Sequence, residues 1–122
     1  MKKRVLVAVD DLFFAAKIRT TAEHLSIEVV FPRSLEALSE LAREGSLALV
    51  IVDLHLQRYD PFLIPNHLKN DEGLPATPLV GFFSHVQTEL QSRAQDAGFD
   101  RILPRSAFTK RLPEILSGTD NH

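Results

Sequence analysis

Residues 47–53 read Leu47-Ala48-Leu49-Val50-Ile51-Val52-Asp53, an apolar run that stops at a carboxylate. No polar residue alternates with the apolar ones, so we expect both faces of the segment to be buried. Such runs are typical of strands in a parallel sheet that is covered by helices on both sides. The stretch therefore predicts a central strand of an α/β domain, with an aspartate at its carboxyl end.

Similar short apolar runs recur along the 122-residue chain and alternate with segments of helical period. The other predicted strands cover 5–9, 27–31, 79–83 and, less extensively, 101–103, and the predicted helices cover 13–25, 34–43, 86–97 and 108–116, with Pro113 interrupting the last. The proline-rich stretch 59–78 has room for one short helix, between 62 and 69. Five alternations predict one doubly wound α/β domain over 1–122, with a core at 3–116 and a frayed tail at 117–122.

Composition and charge argue against several classes of function. The net charge of −2 argues against a nucleic-acid surface, and the absence of cysteine excludes thiolate and disulfide chemistry. No apolar run approaches the roughly 20 residues of a membrane span. The apolar stretch after Arg4 is also too short for a secretory signal. We expect a cytoplasmic protein with no nucleic-acid or membrane partner.

Polar side chains follow four of the predicted strands at their carboxyl ends, where α/β sheets carry their sites. They are Asp10 and Asp11 after the first strand, Asp53 after the third, Ser84 after the fourth and Arg105 after the fifth. Three neighbouring carboxylates repel one another unless a cation lies between them, and oxygen ligands suit Mg²⁺. A carboxylate beside such an ion can attack a phosphoryl group, while a hydroxyl and a guanidinium hold the phosphoryl oxygens.

These residues also have simpler interpretations, and Asp53 is the hardest to dismiss in this way because it ends the most apolar strand. Asp10 or Asp11 could be present simply as the N-cap of the following helix. Ser84 and Gln87 match the S-x-x-Q capping box, and Arg105 alone would be read as a surface arginine. The hypothesis of a site therefore depends on the joint placement of the residues at the strand ends.

Four segments resemble the receiver domain of bacterial response regulators. In residues 3–11 a basic residue and an apolar strand lead to an acidic pair, and Val50–Leu54 resembles the phosphoacceptor strand. Pro78–Ser84 is similar to the fourth strand, and Ala97–Asp100 to the turn before the fifth. The resemblance spans residues 3–116 and implies a flavodoxin-like sheet of strand order 2-1-3-4-5.

The resemblance also implies a role for each site residue. Asp53 would be the phosphoacceptor, and Mg²⁺ would be held by Asp10, Asp11, Asp53 and the backbone carbonyl of His55. Ser84 and Arg105 would contact the phosphoryl group. The implied function is that of a signalling domain, not an enzyme, in a two-component system or phosphorelay. A histidine kinase or phosphotransfer protein would act upstream and another protein downstream, and a homodimer is left open.

The sequence departs from the receiver pattern on one side of the predicted site. Arg105 stands where receivers carry a lysine, Ile102 where they carry an aromatic switch residue, and Pro61 where they carry a glycine. These departures favour an alternative, a degenerate receiver that takes no phosphate and acts as a constitutive interaction or dimerisation module. In that alternative Arg105 would pair with Asp53. Retention of the three carboxylates favours the phosphoacceptor hypothesis.

Overall fold

Five strands form one parallel sheet in the order β2-β1-β3-β4-β5. The computed structural model describes residues 3–70, 76–84 and 88–119. The strands are β1 (Arg4–Ala8), β2 (Glu28–Val30), β3 (Leu47–Asp53), β4 (Leu79–Phe83) and β5 (Arg101–Pro104). The predicted doubly wound α/β class and strand order are confirmed.

Helices cover both faces of the sheet and enclose two hydrophobic cores. They are α1 (Leu12–His24), α2 (Leu35–Arg43), a 3₁₀ helix (Pro61–Leu63), α3 (Ile64–Lys69), α4 (Thr88–Ala97), α5 (Arg105–Lys110) and α6 (Leu112–Ser117). One core contains buried residues of α2, α3 and α4, and the other contains buried residues of α1, α5 and α6. Within the residues that the structure describes, no helix is long and apolar enough to cross a bilayer.

The packing of both faces of the central strand β3 explains why its sequence lacks polar alternation. Val50 and Val52 pack into the core beneath α2, α3 and α4, whereas Ile51 between them packs into the opposite core. All three side chains are fully buried. Successive side chains of a strand point to opposite faces, and here both faces are covered by helices.

Helix α1 follows its predicted stripe, since Phe14, Ile18 and Ala22 are buried. Leu25, predicted as the end of that stripe, is instead the C-cap residue and is 37% exposed. Helix α2 ends just before Gly45, whose φ of +91° is the left-handed conformation that glycine adopts most easily after a helix.

The end of the chain differs from the sequence prediction. In place of one helix from 108 there are two short helices, α5 and α6, which meet at Arg111. Pro113 lies in the first turn of α6, where a missing N–H removes no helical hydrogen bond. Arg105 is consequently the first residue of α5, and Ser117, expected in a frayed tail, is the last residue of α6.

The short helix predicted within 59–78 is confirmed by the 3₁₀ helix and α3. Three other expectations fall on residues outside the described ranges: the end of the turn at 71–73, the first residues of the fourth helix at 86–87, and the tail at 120–122.

Candidate functional site at the carboxyl edge of the sheet

The register of β1 and β3 brings the three predicted carboxylates to one edge of the sheet. Ala8, the last residue of β1, pairs with Val52, which directly precedes Asp53. Asp10 and Asp11 follow β1 at the same edge, where their chain passes into α1. The predicted clustering of acidic residues beside Asp53 thus follows from the parallel arrangement of two adjacent strands.

The other two predicted residues follow β4 and β5. Phe83 and Pro104 are register partners, so Ser84 and Arg105 come directly after neighbouring strand ends. Ser84 is exposed. Its predicted capping-box partner, Gln87, lies outside the described residues.

Asp53 is half-buried at the end of the central strand. Its Oδ1 accepts a hydrogen bond of 2.8 Å from the backbone N–H of His55, which fixes one carboxylate oxygen. Burial raises the pKa of Asp53, and the negative charge of Asp10 raises it further. The His55 N–H and the positive charge of Arg105 act in the opposite direction. A carboxylate that is poorly solvated in this way is stabilised by a cation placed beside it.

Asp10 connects the segment after β1 to the loop after β3. Its Oδ2 accepts a hydrogen bond of 2.8 Å from the backbone N–H of Gln57, and its Oδ1 lies 3.8 Å from Nε of Arg58. These contacts hold the loop that carries His55 against the edge of the sheet where Asp10, Asp11 and Asp53 lie. The carbonyl of His55 accepts a longer bond, 3.4 Å, from the side-chain amide of Gln57.

Asp11 caps helix α1, as one of the simpler interpretations predicted. Its Oδ1 accepts hydrogen bonds from the backbone N–H groups of Phe13 (2.9 Å) and Phe14 (3.2 Å). Its Oδ2 accepts a bond of 3.2 Å from Nη2 of Arg105. The Phe14 N–H lowers the pKa of Asp11, and Arg105 lowers it further. Both oxygens of Asp11 are therefore bonded to donors of the protein itself.

The ion pair between Arg105 and Asp53 that the degenerate-receiver hypothesis predicted is wrong, because Arg105 pairs with Asp11. The cause is the position of Arg105 at the start of α5, which packs beside α1. Its guanidinium lies over the ring of Phe14, 4.1 Å from the ring centroid, and from there it contacts Asp11. Sequence reasoning missed Phe14 as the support of this arginine, since an aromatic residue on a buried stripe is read as core.

The donor atoms at this edge fit a hard divalent cation. The carboxylates of Asp10 and Asp53 and the carbonyl of His55 are oxygen ligands of the kind that Mg²⁺ prefers. Asp11 is occupied by the helix cap and by Arg105, so its predicted role as a ligand stays a prediction. Across residues 3–70, 76–84 and 88–119, no group of three or more His, Cys, Asp or Glu side chains is arranged to hold a metal by itself.

The known proteins that resemble this chain are found by comparing its structure with solved structures. No protein-family model matches the chain, and no curated protein matches it. Among solved structures, the chemotaxis protein CheY4 of Vibrio cholerae superimposes with a TM-score of 0.80 at 14% identity, over 98% of this chain and 99% of that one.

Two further structures are similar over most or all of this chain. The BeF3-activated DrrB receiver domain has a TM-score of 0.76 at 18% identity and covers 100% of both chains. A response regulator from Burkholderia pseudomallei, solved with a phosphorylated aspartic acid, a calcium ion and citrate, has a TM-score of 0.75 at 21% identity, over 94% of this chain and 66% of that one. The chain therefore has the CheY-like fold of a response-regulator receiver domain.

Proposed function

We propose that this chain is a receiver-type signal-transduction domain and that Asp53 is its phosphoacceptor. The observation that carries the proposal is the state of Asp53 itself. The carboxylate is half-buried at the end of the central strand, with Oδ1 fixed by the His55 N–H and its pKa raised by burial. Among the described residues, no donor is bonded to Oδ2. One carboxylate oxygen held by a donor and a second one left to react is the arrangement that a positioned nucleophile requires.

The proposed chemistry is transfer of a phosphoryl group from a phosphohistidine. The Oδ2 of Asp53 attacks phosphorus, the P–N bond of the donor breaks, and the imidazole leaves with the electron pair and is protonated. The product is an acyl phosphate on Asp53. Bound Mg²⁺ would neutralise the charge that develops as carboxylate and phosphoryl oxygens approach. It would be held by Asp10, Asp53 and the His55 carbonyl, with Asp11 as the further predicted ligand.

The donor would be a histidine kinase or a phosphotransfer protein in the cytoplasm. The chain would act as the acceptor of a phosphorelay and not as an enzyme. Ser84, exposed after β4, would donate its hydroxyl to a phosphoryl oxygen.

Phosphorylation would also change the surroundings of Arg105. A phosphoryl group adds a charge of about −2, which competes with Asp11 for the guanidinium. Because Arg105 begins α5, its movement would alter the surface formed by α4, β5 and α5. A downstream protein would then recognise that altered surface.

The test is a titration of the domain with beryllofluoride and Mg²⁺, followed by amide NMR, with Asp53→Asn as the control. We expect Mg²⁺-dependent shifts at Asp10, Asp53, Ser84 and Arg105 that are absent in the variant. If the wild-type spectrum does not respond at millimolar Mg²⁺, the phosphoacceptor proposal is refuted.

A second candidate function is a constitutive interaction or dimerisation module that takes no phosphate. The observation that favours it is the ion pair between Arg105 and Asp11, which already engages the cation at this edge without a ligand. Under this alternative, beryllofluoride would leave the spectrum unchanged. Arg105→Ala would then weaken partner binding or self-association, whereas under the leading proposal it would chiefly reduce the response to beryllofluoride.

A further inference from the structure

A pocket of about 140 Å³ lies over the carboxyl ends of β1 and β2 and shares one residue, Asp10, with the candidate site. Three arginines line it: Arg19 from α1, Arg33 from the segment after β2, and Arg58 from the loop after β3. One carboxylate, that of Asp10, faces them. A concentration of positive charge at this one place contrasts with the net charge of −2 of the chain.

The walls of this arginine pocket are held in place by specific contacts. The guanidinium of Arg19 lies 4.8 Å from the ring centroid of Phe31, which also lines the pocket. The hydroxyl of Tyr59 donates a hydrogen bond of 2.9 Å to the carbonyl of Pro32 and so joins two of the lining segments. Donors whose positions are fixed before binding lose less conformational entropy when a ligand arrives.

The three guanidinium groups of the pocket differ in their ion pairs. Arg58 lies 3.8 Å from Asp10. Within the described part of the chain, neither Arg19 nor Arg33 forms an ion pair. Guanidinium groups bind carboxylates and phosphates through paired N–H donors. An uncompensated pair of them on the wall of a pocket therefore favours an anionic occupant.

The rim of the pocket indicates what carries the anion. Leu12 lines the pocket and is 82% exposed, and it lies on one stripe of α1 with Ala15 and Arg19. A free inorganic anion would leave Leu12 in water. A nucleic acid would call for a track of basic residues along a surface, whereas this is one pocket of a size that suits a single side chain. A protein segment with an acidic side chain and an aliphatic neighbour satisfies both features.

We propose that the arginine pocket is a docking site for an acidic segment of a partner protein. A glutamate or aspartate side chain of the partner enters the pocket and pairs with Arg19 and Arg33, and an adjacent aliphatic side chain covers Leu12. This docking uses no atom of Asp53, so it does not require phosphorylation. It gives the domain a contact surface separate from that formed by α4, β5 and α5.

The probe is a seven-residue peptide, Leu-Glu-Glu-Leu-Glu-Glu-Leu, titrated into the full chain while the arginine Nε–Hε signals are followed by NMR. The test variant is Arg19→Gln combined with Arg33→Gln. The matched control is Arg93→Gln, because Arg93 also lies over a phenylalanine ring, at 4.0 Å from the centroid of Phe62, but lines no part of this pocket.

We expect the peptide to shift the signals of the pocket arginines, and the double variant to weaken binding about tenfold or more. Leu12→Ser should weaken it as well, and in buffer without Mg²⁺ neither Arg93→Gln nor Asp53→Asn should weaken it. The proposal is overturned if the wild type does not bind the peptide at millimolar concentration, or if Arg93→Gln weakens binding as much as the double variant. It is also overturned if inorganic phosphate displaces the peptide with equal affinity, which would indicate a site for a free anion. Because Asp53→Asn retains binding, failure of the phosphoacceptor proposal would leave this result intact.

Discussion

Three phenylalanine rings join α1, β4 and α5 beneath the candidate site, and Phe108 is the ring whose replacement should report their contribution. Its ring is stacked on Phe82 with centroids 4.8 Å apart and planes at 17°, and it lies 5.9 Å from the ring of Phe14. Phe108 is fully buried, and it belongs to the same short helix as Arg105. We predict that Phe108→Leu will markedly destabilise the fold.

The magnitude follows from two losses. Each aromatic pair is worth about 0.5–1.5 kcal/mol beyond the area that it buries, so the two pairs amount to about 1–3 kcal/mol. Leucine is also smaller by roughly 25 Å³, and at about 24 cal/mol per Å³ of cavity this adds about 0.6 kcal/mol. We therefore expect the free energy of unfolding to fall by about 1.6–3.6 kcal/mol. At an m-value of about 1.5 kcal/mol/M in urea, the midpoint should fall by about 1.1–2.4 M.

The assay is urea unfolding followed by circular dichroism, and Phe13 provides the matched control. Phe13 is the neighbour of Phe14 in α1 but is 91% exposed, so Phe13→Leu should change the free energy of unfolding by no more than about 0.5 kcal/mol. The reasoning is refuted if the two substitutions have equal effects, or if Phe108→Leu costs less than about 0.5 kcal/mol.

Three further predictions concern charge, close packing and ionisation. Asp53→Asn should raise the free energy of unfolding near neutral pH, because burial raises the pKa of Asp53 and thereby disfavours its charged form. This advantage should shrink as the pH falls through that pKa, and a similar gain from Asp96→Asn, at an exposed position, would contradict it. Gly81→Ala should cost about 1–3 kcal/mol in urea unfolding, because a Cβ there would lie 3.0 Å from Cδ2 of Leu54. Adding Leu54→Ala should recover part of the effect of Gly81→Ala, whereas strictly additive losses would argue against the contact. Tyr59, the one tyrosine, should ionise at a pKa of about 12, because burial raises its pKa. The stability that Tyr59 contributes should be intact below about pH 10 and lost as the pH rises through its folded pKa, and phenolate absorbance that appears near pH 10 in the folded domain would contradict the burial.

The sheet could be predicted from the sequence because its central strands are buried on both faces. Val50, Ile51 and Val52 must all be apolar under that arrangement, and the run ends where the strand reaches the edge. Since parallel strands place their carboxyl ends together, the common edge of Asp10 and Asp53 followed from strand order alone.

The start of α5 could not be predicted in the same way. Arg105, Ser106 and Ala107 carry no apolar stripe, and the helical period becomes visible only at Phe108, whose burial anchors the helix. The partner of Arg105 could not be predicted from the sequence either, because it depends on how the guanidinium lies over the ring of Phe14.

The arginine pocket illustrates a second limit. Arg19, Arg33 and Arg58 are spaced 14 (33 − 19) and 25 (58 − 33) residues apart, and nothing in their local sequence connects them. They meet only because β1, β2 and β3 are adjacent in the sheet and release their following segments at the same edge.

Because Arg58 of the arginine pocket lies 3.8 Å from Asp10, we expect binding of an anion in the pocket and binding of a cation beside Asp10 and Asp53 to influence each other. We expect an anion in the pocket to attract Arg58 away from Asp10, which would leave the charge of that carboxylate less compensated and make it a better ligand for a cation. Reciprocity requires that a cation held by Asp10 and Asp53 raise the affinity of the pocket for the anion by the same factor. On the phosphoacceptor proposal, a partner docked in the pocket would thus lower the Mg²⁺ concentration at which the site around Asp53 is half-occupied, and the domain would respond most strongly when partner and cation are bound together.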